Sequence, residues 1–292
     1  MHKAGFVNII GNPNVGKSTI MNALVGEKLS IITSKSQTTR HRILGIFNGD
    51  DFQIVYSDTP GIVNPHYKLH ESMMRFINLA LEDADLFLLV TEVGETLKNH
   101  DTLDKVINSE IPVILLINKI DLSNQEEVEE KVEYWQNEIP RAIIIPTSAT
   151  ENFNLDVVFN KILELLPESP PYFPKDELTD KSMRFFVSEI IREKILMYYQ
   201  KEIPYSCEVV VEMFKEENNI NKISTVIYVE RDSQKGIMIG HKGSMLKKVG
   251  TEARLDIEEF TGKKCFLEIH VKVLKDWRNN DNSLRRFGYD NK

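Results

Sequence analysis

The segment that most constrains the fold is GNPNVGKS, residues 11–18, which lies between a short apolar run and a helix-like segment. Its two glycines let the backbone turn so that successive N–H groups point into one concavity, and the helix that follows adds partial positive charge. Lys17 can then reach the β- and γ-phosphates of a nucleotide, and the Ser18 hydroxyl can bind Mg²⁺. Because a strand precedes it and a helix follows, the segment predicts a phosphate-binding loop rather than a chance turn.

The first 166 residues alternate short apolar runs with amphipathic segments of helical length. The apolar runs that predict strands are 6–10, 52–56, 85–90, 112–118 and 141–146. The segments that predict helices lie near 17–26, 69–82, 99–109, 124–138 and 154–166. This alternation is typical of βαβ units, so we predict an α/β fold with a mostly parallel sheet. Asn48 and Gly49 lie between two strand-like runs and predict a hairpin, and therefore one antiparallel edge strand near 43–48.

Three further motifs follow predicted strands: DTPG at 58–61, NKID at 118–121 and TSAT at 147–150. Open α/β sheets bind ligands at the carboxyl ends of their strands, which is where these motifs and the phosphate loop are expected. We expect Asp58 to hold Mg²⁺ through a water molecule and the Gly61 N–H to reach the γ-phosphate. Each motif alone is a weak signal, but chance does not account for all of them at successive strand ends.

The NKID motif indicates which base is bound. The Asp121 carboxylate can accept from both N1–H and the 2-amino group of guanine, a donor pair that adenine lacks. Asn118 and Lys119 are expected to support the base and the loop, and the Ala149 N–H could bond guanine O6. The predicted GTP-binding residues are Gly11, Asn12, Pro13, Asn14, Val15, Gly16, Lys17, Ser18, Thr19, Asp58, Thr59, Pro60, Gly61, Asn118, Lys119, Asp121, Ser148 and Ala149.

The order of these motifs resembles the translation-factor class of P-loop GTPases. QTTRH at 37–41 is similar to switch I of that class, which implies Thr39 as a Mg²⁺ ligand, with Thr38 the less favoured candidate. The resemblance also implies that bound GTP orders switch I, about 34–41, and switch II, about 61–75, and that hydrolysis releases them. The expected metal ligands are Ser18, Thr39 and Asp58.

One position departs from the small regulatory GTPases, which carry a glutamine after the DTPG-type motif to orient the attacking water. This chain has Ile62 there, which cannot hydrogen-bond to water, so we expect slow intrinsic hydrolysis unless something assists. In related GTPases an asparagine at the position of Asn14 binds K⁺ beside the β–γ bridge, and the resemblance implies the same here. The residues expected to carry catalysis are Lys17, Asn14, Thr39 and Gly61.

A proline-rich segment, PESPPYFPKD, marks the predicted domain boundary. Four of the eleven prolines fall within 167–174. Proline fixes φ and cannot extend a helix, so the segment predicts a stiff, extended linker that would transmit the nucleotide state. We predict a GTP-binding domain at 1–172, a linker at 173–180 and a second domain with a C-terminal tail at 181–292.

The second domain has a different pattern, with predicted elements in the order α-β-β-α-α-β and the motif GHKG at 240–243. GxxG alone is a weak signal, but in this order it resembles a type II KH domain, an α+β fold whose loop clamps the backbone of single-stranded RNA. The resemblance implies that the strand 220–232 and the helix 244–260 border the groove for the bases. The RNA-binding residues expected are Gly240, His241, Lys242, Gly243, Lys247 and Lys248.

Charge is distributed unevenly along the chain. The net charge is −8, but residues 231–292 hold 14 Lys and Arg against 9 Asp and Glu, a net of +5. Residues 1–230 therefore carry a net of −13. A basic end on an acidic chain hints at polyanion binding there, which salt should weaken.

A P-loop GTPase joined by a short linker to a type II KH domain is the arrangement of the Era family of bacterial ribosome-assembly GTPases. The chain also resembles that family at SEIIREKIL (188–196), at IGHKGSMLKKVGTEAR (239–254), and at Trp277 and 287–289 in the tail. The resemblance implies binding near the 3′ end of 16S ribosomal RNA, a role in maturation of the 30S subunit, and loose association with the membrane. RNA affinity and nucleotide state should then be linked reciprocally.

Composition bears on the compartment. Cys207 and Cys265 are too few for a disulfide framework or a four-ligand zinc site, so we expect buried thiols in a reducing compartment. No apolar run approaches the about 20 residues that a membrane span needs, and the first residues lack the pattern of a signal peptide. We expect a cytosolic monomer with at most peripheral membrane contact.

Two other functions stay open from the sequence. One is a GTPase switch whose main partner is a protein or the membrane, with the KH fold as an interaction module. The other is an RNA-binding protein with a degenerate nucleotide domain. The intact Lys17, Ser18, Asp58 and Asp121 argue against this second alternative.

Overall fold

The computed structural model describes residues 1–96 and 101–289. The start of the helix predicted at 99–109 and the end of the domain predicted at 181–292 lie outside the described residues. No helix within the described ranges is both long enough and apolar enough to cross a membrane.

Contacts between Cα atoms divide the described chain into two compact units. The first holds Met1–Pro65 and the described residues of Met73–Asp180. The second holds His66–Ser72 and the described residues from Lys181 onward. The segment 173–180, predicted to be a linker, therefore groups with the first unit. The domain limits given by the sequence stay predictions.

The first unit is built around a six-stranded sheet with strand order β2-β3-β1-β4-β5-β6. The strands are β1 (Lys3–Gly11), β2 (Ile43–Asn48), β3 (Phe52–Asp58), β4 (Leu86–Glu92), β5 (Val113–Asn118) and β6 (Ile143–Pro146). The helices along this part of the chain are α1 (Lys17–Val25), α2 (Lys68–Glu82), α3 (Asp101–Asn108), α4 (Gln125–Glu138) and α5 (Leu155–Leu165). β2 pairs antiparallel with β3, and all other neighbours are parallel. The predicted parallel sheet with one antiparallel edge strand is confirmed.

Burial explains why these segments form a central sheet. Every residue of β5, and every residue of β4 except the last, is buried, as expected for parallel strands covered by helices on both faces. An apolar cluster that includes Ile10, Phe87, Leu115 and Trp135 packs helices against one face. Because parallel strands end at the same edge, β1, β3, β5 and β6 bring the four sequence motifs together there.

The segment 172–180, here called the strap, is fastened along the sheet of the first unit. The Gln53 side chain accepts from the Phe173 N–H at 3.0 Å and donates to the Phe173 carbonyl at 2.8 Å. Farther along, the Ile46 N–H of β2 donates to the Leu178 carbonyl at 2.8 Å. The segment includes a turn at 175–176, where the Glu177 N–H donates to the Pro174 carbonyl at 3.1 Å, so it is not extended throughout as predicted. The bonds to Gln53 and Ile46 hold it against β2 and β3.

The second unit contains a three-stranded sheet with the order β7-β8-β9. Its elements are α6 (Met183–Tyr198), β7 (Glu208–Glu216), β8 (Ile220–Val229), α7 (Asp232–Ile239), α8 (Ser244–Thr261), β9 (Lys264–Val273) and α9 (Asp281–Arg286). β8 pairs antiparallel with β7 and parallel with β9. The predicted order α-β-β-α-α-β is confirmed, and α9 is an element that the sequence did not predict.

Apolar side chains of α6, α8 and the sheet form the core of the second unit, together with the buried thiols of Cys207 and Cys265. The chain after β9 adds polar contacts to this core. The Trp277 Nε1–H donates to the Ser206 carbonyl at 3.0 Å, and the Tyr289 hydroxyl donates to Glu208 Oε2 at 2.8 Å. These tail residues, part of the family resemblance, therefore have a packing role.

Candidate functional site

The phosphate loop joins the end of β1 to the start of α1, as the sequence predicted. Gly11 and Gly16 both have positive φ, at 157° and 101°. A Cβ at Gly11 would lie 2.2 Å from the Val90 carbonyl oxygen, and one at Gly16 would lie 2.2 Å from Asn118 Nδ2. The neighbouring strands therefore leave no room for a side chain at either position.

Lys17 is buried beneath this loop. Its Nζ donates to the carbonyls of Gly11 and Asn12 at 3.1 and 2.7 Å. Burial lowers the pKa of the ammonium to about 8, although the negative charges of Asp58 and Glu95 act in the opposite direction. The lysine is thus held inside the loop, with carboxylates nearby to favour its charged form.

The three side chains predicted to bind Mg²⁺ meet beside the loop. Ser18 Oγ donates to Asp58 Oδ2 at 2.7 Å and lies 2.9 Å from Thr39 Oγ1, which is 3.3 Å from the same carboxylate oxygen. Burial raises the pKa of the Asp58 carboxyl, and the Ser18 hydrogen bond opposes that rise. Within the described ranges, Asp58 Oδ1 is buried without a hydrogen-bond partner. An unpaired carboxylate oxygen among hydroxyl oxygens fits a hard cation such as Mg²⁺.

The other switch I candidate has different contacts. Thr38 Oγ1 donates to the Lys35 carbonyl at 2.6 Å and lies 2.6 Å from Thr33 Oγ1. It is Thr39, and not Thr38, that the structure places beside Ser18 and Asp58.

The DTPG motif lies against the phosphate loop through its last residue. A Cβ at Gly61 would lie 2.7 Å from Pro13 Cα, so the two backbones are in direct contact. Thr59 donates to the Ile9 carbonyl at 2.7 Å, and both Thr59 and Pro60 are buried outside the cavity lining. Ile62 is only 4% exposed and belongs to an apolar core cluster. Its side chain therefore serves packing and cannot orient a water molecule.

The base-recognition motifs are linked by hydrogen bonds. Asn118 Nδ2 donates to the Val15 carbonyl at 2.8 Å, and Asn118 Oδ1 accepts from the Ala149 N–H at 3.1 Å. The Ala149 N–H, expected to reach guanine O6, is thus bonded to Asn118 in this structure. Ser148 Oγ donates to Asp121 Oδ1 at 2.5 Å and orients the carboxylate that would select guanine.

The phosphate loop, part of switch I, Gly61 and Lys119 line a cavity of about 330 Å³, which is within the range of small-ligand sites. Its lining includes the predicted residues Pro13, Asn14, Gly16, Lys17, Ser18, Thr19, Thr39, Gly61 and Lys119. The predicted GTP-binding residues outside this lining include Asp58, Asn118, Asp121, Ser148 and Ala149. Asn14 is exposed and has a positive φ of 67°, the left-handed conformation that asparagine tolerates better than most residues. The predicted phosphate, metal and base motifs are therefore brought together at one edge of the sheet.

Two acidic residues at the end of β4 also reach this site, and the sequence analysis did not select them. Glu92 Oε2 lies 2.6 Å from Lys119 Nζ, and Glu95 Oε1 accepts from Asn12 Nδ2 at 3.0 Å. Their position at or just after the end of β4 could have identified them, because β4 lies between β1 and β5 in the sheet and ends at the same edge.

In the second unit, the GHKG loop joins α7 to α8. Gly240 ends α7 with a φ of 74°, and Gly243 precedes α8 with a φ of 77°. A Cβ at Gly240 would lie 2.7 Å from Met245 Cγ, whereas one at Gly243 would meet no atom within 4 Å. His241 and Lys242 are exposed. The loop therefore presents its backbone and two polar side chains to solvent.

The two lysines of α8 differ in their surroundings. Lys248 Nζ lies 3.9 Å above the ring of Tyr198 on α6, a cation–π contact. Lys247 is exposed, and its side chain has no ion pair or hydrogen bond among the described residues. Of the two α8 lysines predicted to bind RNA, Lys248 has a ring contact, whereas the Lys247 side chain makes no ion pair, hydrogen bond or ring contact with the residues that the structure describes.

The strand predicted to border the RNA groove is not at the sheet edge. The strand predicted at 220–232 is β8, the central strand, with a neighbour on each side. The edge strand beside α7 and α8 is β9. The helices that flank the GHKG loop therefore contact β9 more extensively than the predicted strand β8, and which strand borders RNA stays a prediction.

Comparison with protein families gives two matches that together span most of the chain. The sequence profile of a family described as "50S ribosome-binding GTPase" matches residues 6–119. A second profile, described as "KH domain", matches residues 202–278.

Relatives and solved structures match nearly the whole chain. It is 46% identical to the GTPase Era of Syntrophus aciditrophicus, covering 99% of this chain and 96% of that protein. It is 45% identical to the GTPase Era of Staphylococcus epidermidis, covering 99% of this chain and 97% of that one. A crystal structure of Era in complex with MgGDPNP and nucleotides 1506–1542 of 16S ribosomal RNA has a TM-score of 0.95 at 38% identity and covers all of both chains. An Aquifex aeolicus Era variant bound to GDP and AlF4⁻ has a TM-score of 0.92 at 38% identity, covering 99% of this chain and 100% of that one.

Proposed function

The chain belongs to the Era family of GTPases, and we propose that it hydrolyses GTP to control its own binding of single-stranded 16S ribosomal RNA near the 3′ end, in maturation of the 30S subunit. The observation that supports this most directly is that two kinds of phosphate-binding loop occur in one chain. In the first unit, the phosphate loop has no room for side chains at its glycines and lies beside the Ser18 and Asp58 oxygens that suit Mg²⁺. In the second unit, an exposed GxxG loop is part of a KH fold.

The first unit supplies the residues for nucleotide binding. The loop N–H groups and Lys17 would hold the phosphates, and Asp121, oriented by Ser148, would accept from guanine. The residues that would hold Mg²⁺ are Ser18, Thr39 and Asp58. When bound, Mg²⁺ supplies positive charge that offsets the charge developing on the phosphate oxygens during transfer.

Hydrolysis needs a group other than residue 62 to assist it. Ile62 packs into the core, so its side chain contributes nothing to the attacking water. Asn14 lies at the exposed apex of the loop on the cavity lining, where its side-chain oxygen is available to a monovalent cation. We therefore propose that K⁺ bound at Asn14 supplies part of the charge that an arginine finger supplies in other GTPases.

The second unit supplies the proposed RNA contacts. The GHKG backbone would approach the RNA phosphates closely, with donors from His241 and Lys242. Lys247 adds charge at the start of α8. α7, α8 and the edge strand β9 would form the walls of the groove for unstacked bases.

Nucleotide and RNA binding are proposed to be linked. Thr39 belongs to switch I and lies within hydrogen-bonding distance of Ser18, so a γ-phosphate and its metal would fix that segment. If GTP changes RNA affinity by some factor, RNA changes GTP affinity by the same factor.

We propose a cytoplasmic, monomeric protein that associates peripherally with the membrane.

The experiment that tests this function measures binding of a labelled RNA copy of 16S nucleotides 1506–1542 by fluorescence anisotropy. Wild type is titrated with GDPNP or GDP present, at several salt concentrations. We expect Gly240→Asp and Lys242→Glu to weaken binding about tenfold or more, because each places negative charge against RNA phosphate. Lys215→Glu is the matched control, since its side chain is 66% exposed on β7, away from the GHKG loop.

Each contrary result identifies one alternative. Equal RNA binding by wild type and both loop variants would overturn the RNA proposal and favour a protein or membrane partner. Equal RNA affinity with GDP and GDPNP would remove the linkage. No GTP turnover in the presence of 30S subunits would indicate a degenerate nucleotide domain.

A further inference from the structure

Glu95, just after β4, is fixed at four points and holds a side chain of the phosphate loop. Its Oε1 accepts from Asn12 Nδ2 at 3.0 Å, and its Oε2 accepts from Thr91 Oγ1 at 2.9 Å. Its N–H donates to the Glu92 carbonyl at 2.9 Å, and its own carbonyl accepts from Lys131 Nζ at 2.7 Å. Because its backbone and carboxylate are both restrained, Glu95 gives Asn12 a rigid attachment to β4 and α4.

Asn12 is connected to the two groups expected to meet the γ-phosphate. The Asn12 carbonyl accepts from Lys17 Nζ at 2.7 Å. The next residue, Pro13, lies in backbone contact with Gly61, as the 2.7 Å distance from a Gly61 Cβ to Pro13 Cα indicates. A displacement of Asn12 would therefore change the surroundings of Lys17 and Gly61 together.

The other end of the loop has an attachment of its own. Asn118 Nδ2 donates to the Val15 carbonyl at 2.8 Å, next to the residues that lead into α1. Loss of the Glu95 contact leaves this second attachment intact. Its consequences should thus be concentrated where the γ-phosphate lies and should spare the cradle for the α- and β-phosphates.

We propose that Glu95 is a positioning residue for GTP hydrolysis, acting through Asn12 on the γ-phosphate end of the phosphate loop. This inference rests on the proposed nucleotide site. Glu95 is outside the lining of the cavity beside the phosphate loop. It fixes the position of Asn12 and, through it, the geometry in which Lys17 and Gly61 meet the reacting phosphate.

The test uses the full chain and four variants: Glu95→Ala, Glu95→Gln, Asn12→Ala and the double variant Glu95→Ala with Asn12→Ala. Single-turnover GTP hydrolysis is measured beside the affinities for GDP and GDPNP. We expect Glu95→Ala to slow hydrolysis about tenfold and to lower GDPNP affinity relative to GDP affinity, because small misplacements near reacting atoms are costly. Glu95→Gln should recover part of the rate, since its amide oxygen still accepts from Asn12 but the lost charge no longer favours the charged form of Lys17.

The double variant and a control separate positioning from general stability. If Glu95 acts through Asn12, the double variant is no slower than the slower single variant. Glu130→Ala, which removes the same charge from an exposed position on α4, should match wild type.

A Glu95→Ala rate equal to wild type would overturn the inference. Equal losses of GDP and GDPNP affinity with a lower melting temperature would also overturn it, as a purely structural effect. A wild type that neither binds nor hydrolyses GTP would instead refute the proposed function.

Discussion

The two loops proposed to contact phosphate groups, one in each unit, use glycine for different physical reasons. At Gly16, a side chain would collide with Asn118 Nδ2 at 2.2 Å. At Gly243 none of the described residues has an atom within 4 Å of a Cβ, and the φ of 77° is what favours glycine there. The phosphate loop is therefore shaped by the protein around it, whereas the carboxyl end of the GHKG loop faces open space.

The lysines of the two loops follow the same division. Lys17 is buried and already bonded to loop carbonyls, while Lys242 is exposed. A site that is organised before binding loses little entropy when its ligand arrives and suits one ligand of fixed geometry. An open loop can adapt to a flexible strand but orders on binding. The phosphate loop is thus suited to one ligand of fixed geometry, and the GHKG loop can accommodate strands of different conformation.

The largest expected effect comes from filling the crowded loop. Gly16→Ala should lower GDP affinity about 100-fold or more, equivalent to about 2.7 kcal/mol, because the new methyl group displaces Asn118 from Val15. The measurement is a titration with a fluorescent GDP analogue. Gly26→Ala, at the end of the same helix, is the matched control because its φ of 80° is also positive but its surroundings are open. Equal affinities for the two variants would show that crowding is not what requires glycine.

A second prediction concerns the ion at the apex of the phosphate loop. Replacing K⁺ by Na⁺ should slow hydrolysis about tenfold, less than the effect of an arginine finger, because Asn14 supplies the only proposed substitute for a residue-62 glutamine. Asn14→Ala should be slow in both ions, and GDP affinity should change little. Equal hydrolysis rates in K⁺ and Na⁺ would contradict the role of K⁺ at Asn14. We would then expect a partner molecule to accelerate the slow intrinsic reaction.

A smaller effect is expected from the open loop. Gly243→Ala should cost about 1–2 kcal/mol of stability, the strain of a positive φ, with no collision added. For a chain of this size each kcal/mol corresponds to about 2–4 °C in melting temperature. RNA affinity should fall several-fold, while GDP affinity stays unchanged. Gly240→Ala should be more destabilising, because Met245 lies in the way. A Gly243 variant that fails to fold would remove the distinction between the two loops.

The smallest effect distinguishes two neighbouring lysines. Lys247→Ala should weaken RNA binding about two- to threefold and reduce the salt dependence by about one phosphate contact. Lys248→Ala should reduce the salt dependence less than Lys247→Ala does, because the Tyr198 ring holds the Lys248 ammonium against α6. The readout is the slope of log affinity against log salt concentration. Identical slopes for the two variants would contradict this difference between Lys247 and Lys248.

Much of the first unit could be read from the sequence because its motifs follow strands that are buried along their length. The positions of Lys17, Ser18, Asp58, Asn118 and Asp121 follow from strand order once the sheet is parallel. Even the preference for Thr39 over Thr38 agrees with the hydrogen bonds in the structure.

Other features could not be read in this way because they depend on contacts between distant segments. Glu95 carries no motif, and its value lies in reaching Asn12, which is far away in the sequence. The same is true of the contact between Lys248 and Tyr198, which no motif encodes. Likewise, the alternation of a single strand does not encode the pairing order, which puts β9 and not β8 at the sheet edge beside α7 and α8.

The strap has a consequence for the solubility of the first unit. β2 is the edge strand of the six-stranded sheet, and exposed edges are templates for pairing with other chains. Residues 178–180 cover part of that edge: Gly45 forms an antiparallel bridge with Thr179, and the Leu44 N–H donates to Asp180 Oδ1 at 2.9 Å. A chain that ends at residue 172 would expose the edge of β2, and we expect β2 to pair with strands of other chains. The strap thus protects the β2 edge against aggregation in addition to connecting two parts of the chain.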